Sequence, residues 1–228
     1  MTDTSDRVVE RLAVERLAEV QARIEAGGRP ASEVRLVAVT KNVGAEAIAA
    51  IAAAGITDFG ENQAQAMLSK AADAPIGVRW HFLGPVQRNK VKSLHPHVWL
   101  WHAVDRDAAG TEIARHSRPS PVLVQINLAG DPQRPGATWE EAPALVDRLL
   151  SAGLDVRGLM GVASRRGGSD GARHEFRRLA AMAAQLGLSE LSMGMSNDLE
   201  VAVQEGATIV RVGTALFGAR PEAVQMRR

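Results

Sequence analysis

From residue 34 onward, short apolar runs alternate with longer amphipathic segments, and this alternation leaves few architectures open. The apolar runs are Val34 to Val39, Thr57 to Phe59, Trp80 to Leu83, Val98 to Val104, Val122 to Ile126, Val156 to Val162, Glu190 to Met193 and Thr208 to Val212. Between them lie helical patterns at Ala45 to Ala54, Gln63 to Ala72, Gln87 to Leu94, Ala108 to His116, Trp139 to Ala152, Arg173 to Leu186 and Asp198 to Gln204. Strands that alternate with helices pair in parallel, because the crossover needed to return the chain is long enough to hold a helix. Eight such runs predict an α/β fold of the (β/α)8 TIM-barrel kind, with a doubly wound open sheet as the alternative. The 228 residues fit one barrel domain, since such barrels run to roughly 250 residues. Ahead of the repeats, Val9, Ala13, Leu17, Val20 and Ile24 recur at spacings of three and four and stop at Gly27-Gly28, with Pro30 beyond. This predicts an extra N-terminal helix within 1–29, packed on the barrel, with 219–228 left as a C-terminal tail.

Composition narrows the function. There are 27 Lys and Arg against 26 Asp and Glu, and no stretch concentrates the basic residues, so nucleic acid is not an expected partner. The chain has no Cys, which removes disulfides, thiolate nucleophiles and Cys-ligated metals. The six His are scattered without metal-ligand spacing, and no metal is expected. Met1 to Glu10 lacks the basic-then-apolar pattern of a secretory signal, and no apolar run approaches the ~18 residues of a membrane span. The expectation is a cytoplasmic protein with no membrane association, and a monomer, since no helix is apolar all round.

Lys41 follows the first apolar run by two residues, at the carboxyl end of strand one, the face on which β/α barrels carry their sites. A lone lysine there reads as solvated. Its surroundings change the reading. Ser192-Met193-Gly194-Met195-Ser196-Asn197-Asp198 and Val210-Arg211-Val212-Gly213-Thr214-Ala215 follow strands seven and eight, where such barrels hold phosphate on backbone N–H groups and a short extra helix. Ser196 or Asn197 is a candidate cap for the helix starting at Asp198, with Glu200 spaced for a capping box. Arg211 sits inside an apolar strand and needs a partner or an exit to the mouth. His81, between Trp80 and Phe82, reads equally as a packed histidine or a pocket residue. Leu128 to Thr138, rich in Gly and Pro, reads as a surface loop, with a lid over the mouth as the alternative.

The segments Leu36-Val37-Ala38-Val39-Thr40-Lys41, Phe59-Gly60-Glu61-Asn62, Trp80-His81-Phe82-Leu83-Gly84-Pro85-Val86-Gln87-Arg88-Asn89-Lys90, Gly158-Leu159-Met160, Leu191 to Ser196 and Val210 to Gly218 resemble, in order, the pyridoxal phosphate homeostasis proteins. The resemblance implies a barrel similar to the N-terminal domain of alanine racemase. It also implies pyridoxal 5'-phosphate (PLP) held as a Schiff base on Lys41. By position, the phosphate falls to Ser196, Gly213 and Thr214, the ring nitrogen to Arg211, and the pocket wall to Asn62 and His81. The chain departs from the family pattern at Gln63, where many relatives carry an aromatic, and in the basic loop Ser164-Arg165-Arg166-Gly167-Gly168.

Three functions follow from these residues: a protein that holds, buffers or delivers PLP, with PLP-dependent apo-enzymes as its partners; a PLP-dependent amino-acid racemase; or a Schiff-base aldolase with Glu61 as the acid. Alanine racemase supplies a second base as a tyrosine from an additional β domain. This sequence contains no Tyr and continues only 16 residues past strand eight. The expectation is therefore a carrier or regulator without a defined turnover, and a racemase with a nonstandard second base such as His81 is the alternative.

Overall fold

A computed structural model of the chain describes residues 3–116, 119–164 and 168–218. Eight parallel strands close into a barrel in sequence order, with β8 pairing back onto β1. The strands are β1 (Arg35–Val39), β2 (Asp58–Glu61), β3 (Arg79–Phe82), β4 (Val98–Val104), β5 (Pro121–Ile126), β6 (Asp155–Gly161), β7 (Glu190–Ser192) and β8 (Ile209–Val212). Helices α2 (Ala45–Ala53), α3 (Ala64–Ala72), α4 (Arg88–Leu94), α5 (Asp107–His116), α6 (Ala142–Ser151), α7 (Gly168–Gln185) and α8 (Leu199–Gln204) make the crossovers. Closure excludes the open-sheet alternative.

The expected N-terminal helix is present as α1 (Asp3–Ala26), and a single turn, α9 (Thr214–Phe217), follows β8. Along α1, Ala13, Leu17, Val20 and Ile24 are buried. It packs on α2, α8 and α9, the elements beside the barrel seam. The tail 219–228 and the loop residues 165–167 lie outside the described residues.

Strand side chains alternate between two cores, which is why these strands read as nearly continuous apolar runs. One set, including Ala38, Phe59, Trp80, Val122, Val124 and Val210, packs under the helices. The other, Val37, Leu100, Ala103, Leu123, Met160 and Ile209, fills the barrel interior. The amino-terminal end is closed by Trp99, whose ring lies 4.8, 4.9 and 5.5 Å from the guanidinium carbons of Arg35, Arg79 and Arg157.

Two backbone features shape the opposite, carboxyl-terminal mouth. Asn42 has φ 61°, the one left-handed conformation outside glycine among the described residues, and it turns the chain sharply after Lys41; asparagine tolerates that region better than other non-glycine residues. Gly84 lets the chain after β3 cross the chain after β2: a Cβ there would lie 2.0 Å from the Asn62 carbonyl oxygen. The loop after β5 is pinned rather than free. Asn127 N–H donates to the Ala137 carbonyl at 2.9 Å, and the Asn127 side-chain amide donates to the Asp131 and Arg134 carbonyls at 2.7 and 3.2 Å.

Candidate functional site

The mouth is assembled from the ends of β1, β2, β7 and β8, which closure makes neighbours. Val37 pairs with Arg211 and Ala38 with Val212, so the chain after β1 and the chain after β8 leave the barrel side by side. Lys41 emerges there, exposed, in the turn that ends at Asn42. Its strand position has the same parity as Val37, which faces the barrel interior.

Behind Lys41 the polar groups are paired. Glu61 is 1% exposed, accepts from Thr40 Oγ1 at 3.0 Å and from Asn62 N–H at 3.1 Å, and forms an ion pair with Lys70. Lys70 also donates to the Thr40 carbonyl at 2.5 Å. Glu61 is thus a structural anion that ties the ends of β1 and β2 to α3. The expectation of Glu61 as a free acid for an aldolase is corrected by that pairing. Next to it, Asn62 Oδ1 is buried and has no hydrogen-bond partner within the protein. An orphaned buried acceptor costs roughly 1–3 kcal/mol unless something satisfies it. Asn62 thus has an acceptor to offer.

The loops after β7 and β8 are joined to each other. Ala215 N–H donates to Ser196 Oγ at 3.3 Å, which places the Ser196 hydroxyl against the first turn of α9. Gly213 precedes that turn and Thr214, which is exposed, opens it. The α1 helix buttresses both loops, a contribution the sequence did not disclose. Arg23 donates to the Ser196 carbonyl at 2.8 Å and pairs with Glu200 at 2.5 and 2.8 Å. The expected cap also changes. Asp198, not Ser196 or Asn197, holds the N-cap of α8, its carboxylate accepts from Met195 N–H at 2.5 Å, and Glu200 is taken by Arg23 instead of a capping box.

Arg211 is 5% exposed and donates to Ser192 Oγ at 2.7 Å and to the Gly161 carbonyl at 2.9 Å. It has no carboxylate within ion-pair distance among the described residues, so the partners its burial calls for are this hydroxyl and this carbonyl. Burial pushes its pKa down to about 10, with the Asp198 carboxylate opposing. The guanidinium stays protonated at neutral pH.

His81 lies deeper, fully buried on β3. Its Nε2 is 2.8 Å from Asp58 Oδ1 and its Nδ1 is 2.8 Å from His102 Nε2. Both ring nitrogens are occupied, so it has none free to act as a base at the mouth. Burial pushes the His81 pKa down, with the Asp58 carboxylate opposing, and burial together with the neighbouring His81, Arg211 and Arg35 drives that of His102 well below its usual value. His102 escaped the sequence reading, and Ser192 entered it only as the first residue of the segment at the end of strand seven. The signal was there: each is a polar residue within an apolar strand.

A cavity of about 400 Å³ lies at the other end of the barrel, lined by Arg35, Asp58, Arg79 and Glu190 among others. No lysine lines it, and Asp58 is paired with Arg79 at 2.5 Å while Glu190 is paired with Arg35 at 3.2 Å. Lys41 is at the opposite end, at the mouth. Among the described residues no cluster of three or more His, Asp or Glu is arranged to hold a metal ion, and no helix is long and apolar enough to cross a membrane.

Comparison with known proteins agrees with this geometry. A family model of the alanine racemase N-terminal domain matches residues 14–221, which sets the class as a barrel of that type. The pyridoxal phosphate homeostasis protein of Pseudomonas aeruginosa is 40% identical over 218 residues, covering 90% of this chain and 95% of the relative. That of Deinococcus radiodurans is 41% identical over 213 residues, covering 90% and 97%. The chain belongs to the pyridoxal phosphate homeostasis protein family. The structure of PipY from Synechococcus elongatus with PLP bound superposes with a TM-score of 0.81 at 35% identity, covering 90% of this chain and all of that one. Alanine racemase from Corynebacterium glutamicum shares the fold, with a TM-score of 0.69 at 19% identity, and this chain covers 63% of its length.

Proposed function

We propose that the protein holds PLP reversibly as a Schiff base on Lys41 and buffers or delivers it to PLP-dependent apo-enzymes, as a cytoplasmic monomer serving vitamin B6 and amino-acid metabolism. The observation that carries the reading is the meeting of Lys41 with the β7 and β8 loops at one barrel mouth, in a chain that aligns over 90% of its length with a PLP-bound relative. PLP, when bound, supplies an aldehyde that condenses with amines and a pyridine ring that can draw electrons from them.

The residues present fit that group. Lys41 offers an exposed amine. Ser196 and Thr214 offer hydroxyls, and Gly213 and Thr214 offer backbone N–H groups, for the phosphate. Asn62 offers its unpartnered Oδ1. Arg211, protonated and held by Ser192 and Gly161, offers a donor to the ring nitrogen and so disfavours protonation there. An unprotonated ring is a weaker electron sink, which suits holding the cofactor more than using it.

The racemase alternative needs a second base. There is no Tyr in the sequence, Glu61 is bound to Lys70, and His81 has both nitrogens engaged. PLP-loaded protein given L-alanine is therefore expected to racemise it no faster than free PLP does; sustained production of D-alanine well above that background would favour the enzyme. A second prediction concerns the phosphate. Replacing both Ser196 and Thr214 with Ala should leave the fold intact and weaken PLP retention about tenfold or more, since a hydrogen bond to a charged group contributes about 1.5–3 kcal/mol. An unchanged affinity in equilibrium dialysis would place the phosphate elsewhere.

A further inference from the structure

Five side chains form one unbroken hydrogen-bonded string through the barrel. From the mouth inward, Arg211 Nη1 lies 2.7 Å from Ser192 Oγ, which lies 2.8 Å from His102 Nδ1. His102 Nε2 lies 2.8 Å from His81 Nδ1, and His81 Nε2 lies 2.8 Å from Asp58 Oδ1. Asp58 sits at the amino-terminal end of β2, where Arg79 holds it at 2.5 Å. The string therefore spans the barrel from one end to the other.

Its ends determine its direction. A guanidinium only donates and a carboxylate only accepts. Arg211 donates to Ser192, so the Ser192 hydroxyl is free to donate onward to His102 Nδ1. His102 then carries its proton on Nε2 and donates to His81 Nδ1, and His81 carries its proton on Nε2 and donates to Asp58. Both rings are neutral and both are Nε2–H tautomers. A second proton on His81 would set its Nδ1–H against the His102 Nε2–H, and one on His102 would turn Ser192 from donor to acceptor, so either breaks the direction of the string. The charged groups facing the rings are Asp58, Arg35 and Arg79 at His81, and Arg211 and Arg35 at His102. Three cations against one anion, together with burial, keep the rings uncharged.

We propose that Ser192, His102, His81 and Asp58 are positioning residues for Arg211: a one-directional string that holds the guanidinium in place at the cofactor's ring nitrogen and leads part of its charge toward Asp58. The role at the ring rests on the function proposed above; the polarity of the string does not. Arg211 has no carboxylate of its own within ion-pair distance among the described residues, and its fixed partners are one hydroxyl and one carbonyl. His102 Nδ1, by accepting the hydroxyl proton, fixes the rotation of Ser192 and so the lone pair that Arg211 meets, and His102 presents that nitrogen as an acceptor while His81 takes the proton on its Nε2. Removing a link lets Ser192 rotate and the guanidinium tilt.

Long-range nitrogen–proton NMR on the cofactor-free protein tests the polarity. The expected result at pH 6.5 to 8 is two neutral Nε2–H histidines assigned to positions 81 and 102. An Nδ1–H tautomer or a charged ring at either position would overturn the string. Ser192→Ala tests the positioning, since it removes one hydroxyl and little packing. Together with His102→Phe it is expected to weaken PLP retention about tenfold and to move the absorbance maximum of the bound cofactor. His102→Gln, whose amide can both donate and accept, is expected to restore retention to within about threefold. A merely structural role would lower thermal stability and leave the absorbance maximum in place. Wild-type retention with an unmoved maximum in Ser192→Ala would overturn the positioning role, whether or not His102→Phe folds. Failure of the wild-type protein to take up PLP would defeat the cofactor reading instead, and the NMR result would still decide the string.

Discussion

Lys41→Ala is expected to abolish covalent retention of PLP and to weaken total binding by about a hundredfold, equivalent to about 2.8 kcal/mol at 1.4 kcal/mol per decade. The loss should come without a loss of fold. Lys41 is exposed in a turn, and exposed substitutions away from caps and strained positions change stability by no more than about 0.5 kcal/mol. The noncovalent contacts of Ser196, Gly213, Thr214 and Arg211 would remain, so the variant should still bind PLP weakly, with an absorbance like that of the free aldehyde. Spectra and dialysis of both proteins under the same conditions check this. A variant that keeps the wild-type spectrum would place the reactive amine elsewhere.

Acidification below pH 6.5 is expected to destabilise the protein steeply, because the barrel core holds two neutral histidines. An unfolded histidine titrates near 6.5, whereas His81 and His102 are pushed lower in the folded chain, chiefly by burial. Above pH 6.5 both states carry neutral rings, and these two groups contribute no pH dependence. Below it the unfolded chain takes up protons that the folded chain cannot, so stability falls with falling pH until each folded pKa is reached. The slope is about 1.4 kcal/mol per pH unit for each ring, or about 2.8 for both. Asp58 acts lower on the scale. The hydrogen bonds from His81 and Arg79 outweigh its burial and hold its carboxyl below the usual range, so its contribution is present above about 3.8 and is lost as pH falls through that lowered value. Denaturant midpoints measured from pH 7.5 to 4.5 should show the slope, and His102→Gln should remove about half of it. A flat profile between pH 7 and 5.5 would mean that the rings accept charge in place.

The alternation of apolar runs with amphipathic segments disclosed the barrel because each strand is buried on both faces and each helix on one. The predicted strand limits fall within one or two residues of those observed, down to the three-residue β7. Loops were legible by composition where glycine or proline marked a turn. They were not where the outcome depended on a distant partner. Glu200 has the spacing of a capping box but pairs with Arg23, 177 residues away in sequence. Asp198, read as the first helical residue, instead folds its carboxylate back onto Met195 N–H. The string from Asp58 to Arg211 was hidden for the same reason. His81 and His102 are 21 residues apart, and His102 and Ser192 are 90 apart. Only closure of the barrel brings them into line. Lys41, Arg211 and the two loops were legible because barrel topology alone assigns strand ends to one face.

Trapping the linkage tests the central claim most directly. PLP-loaded protein would be treated with borohydride, which reduces a carbon–nitrogen double bond to a stable amine, and the modified lysine located by peptide mass spectrometry. A single phosphopyridoxyl group on Lys41 is the predicted result, absent from Lys41→Ala. Modification spread over surface lysines, or confined to Lys70 or Lys90 with Lys41 untouched, would contradict it.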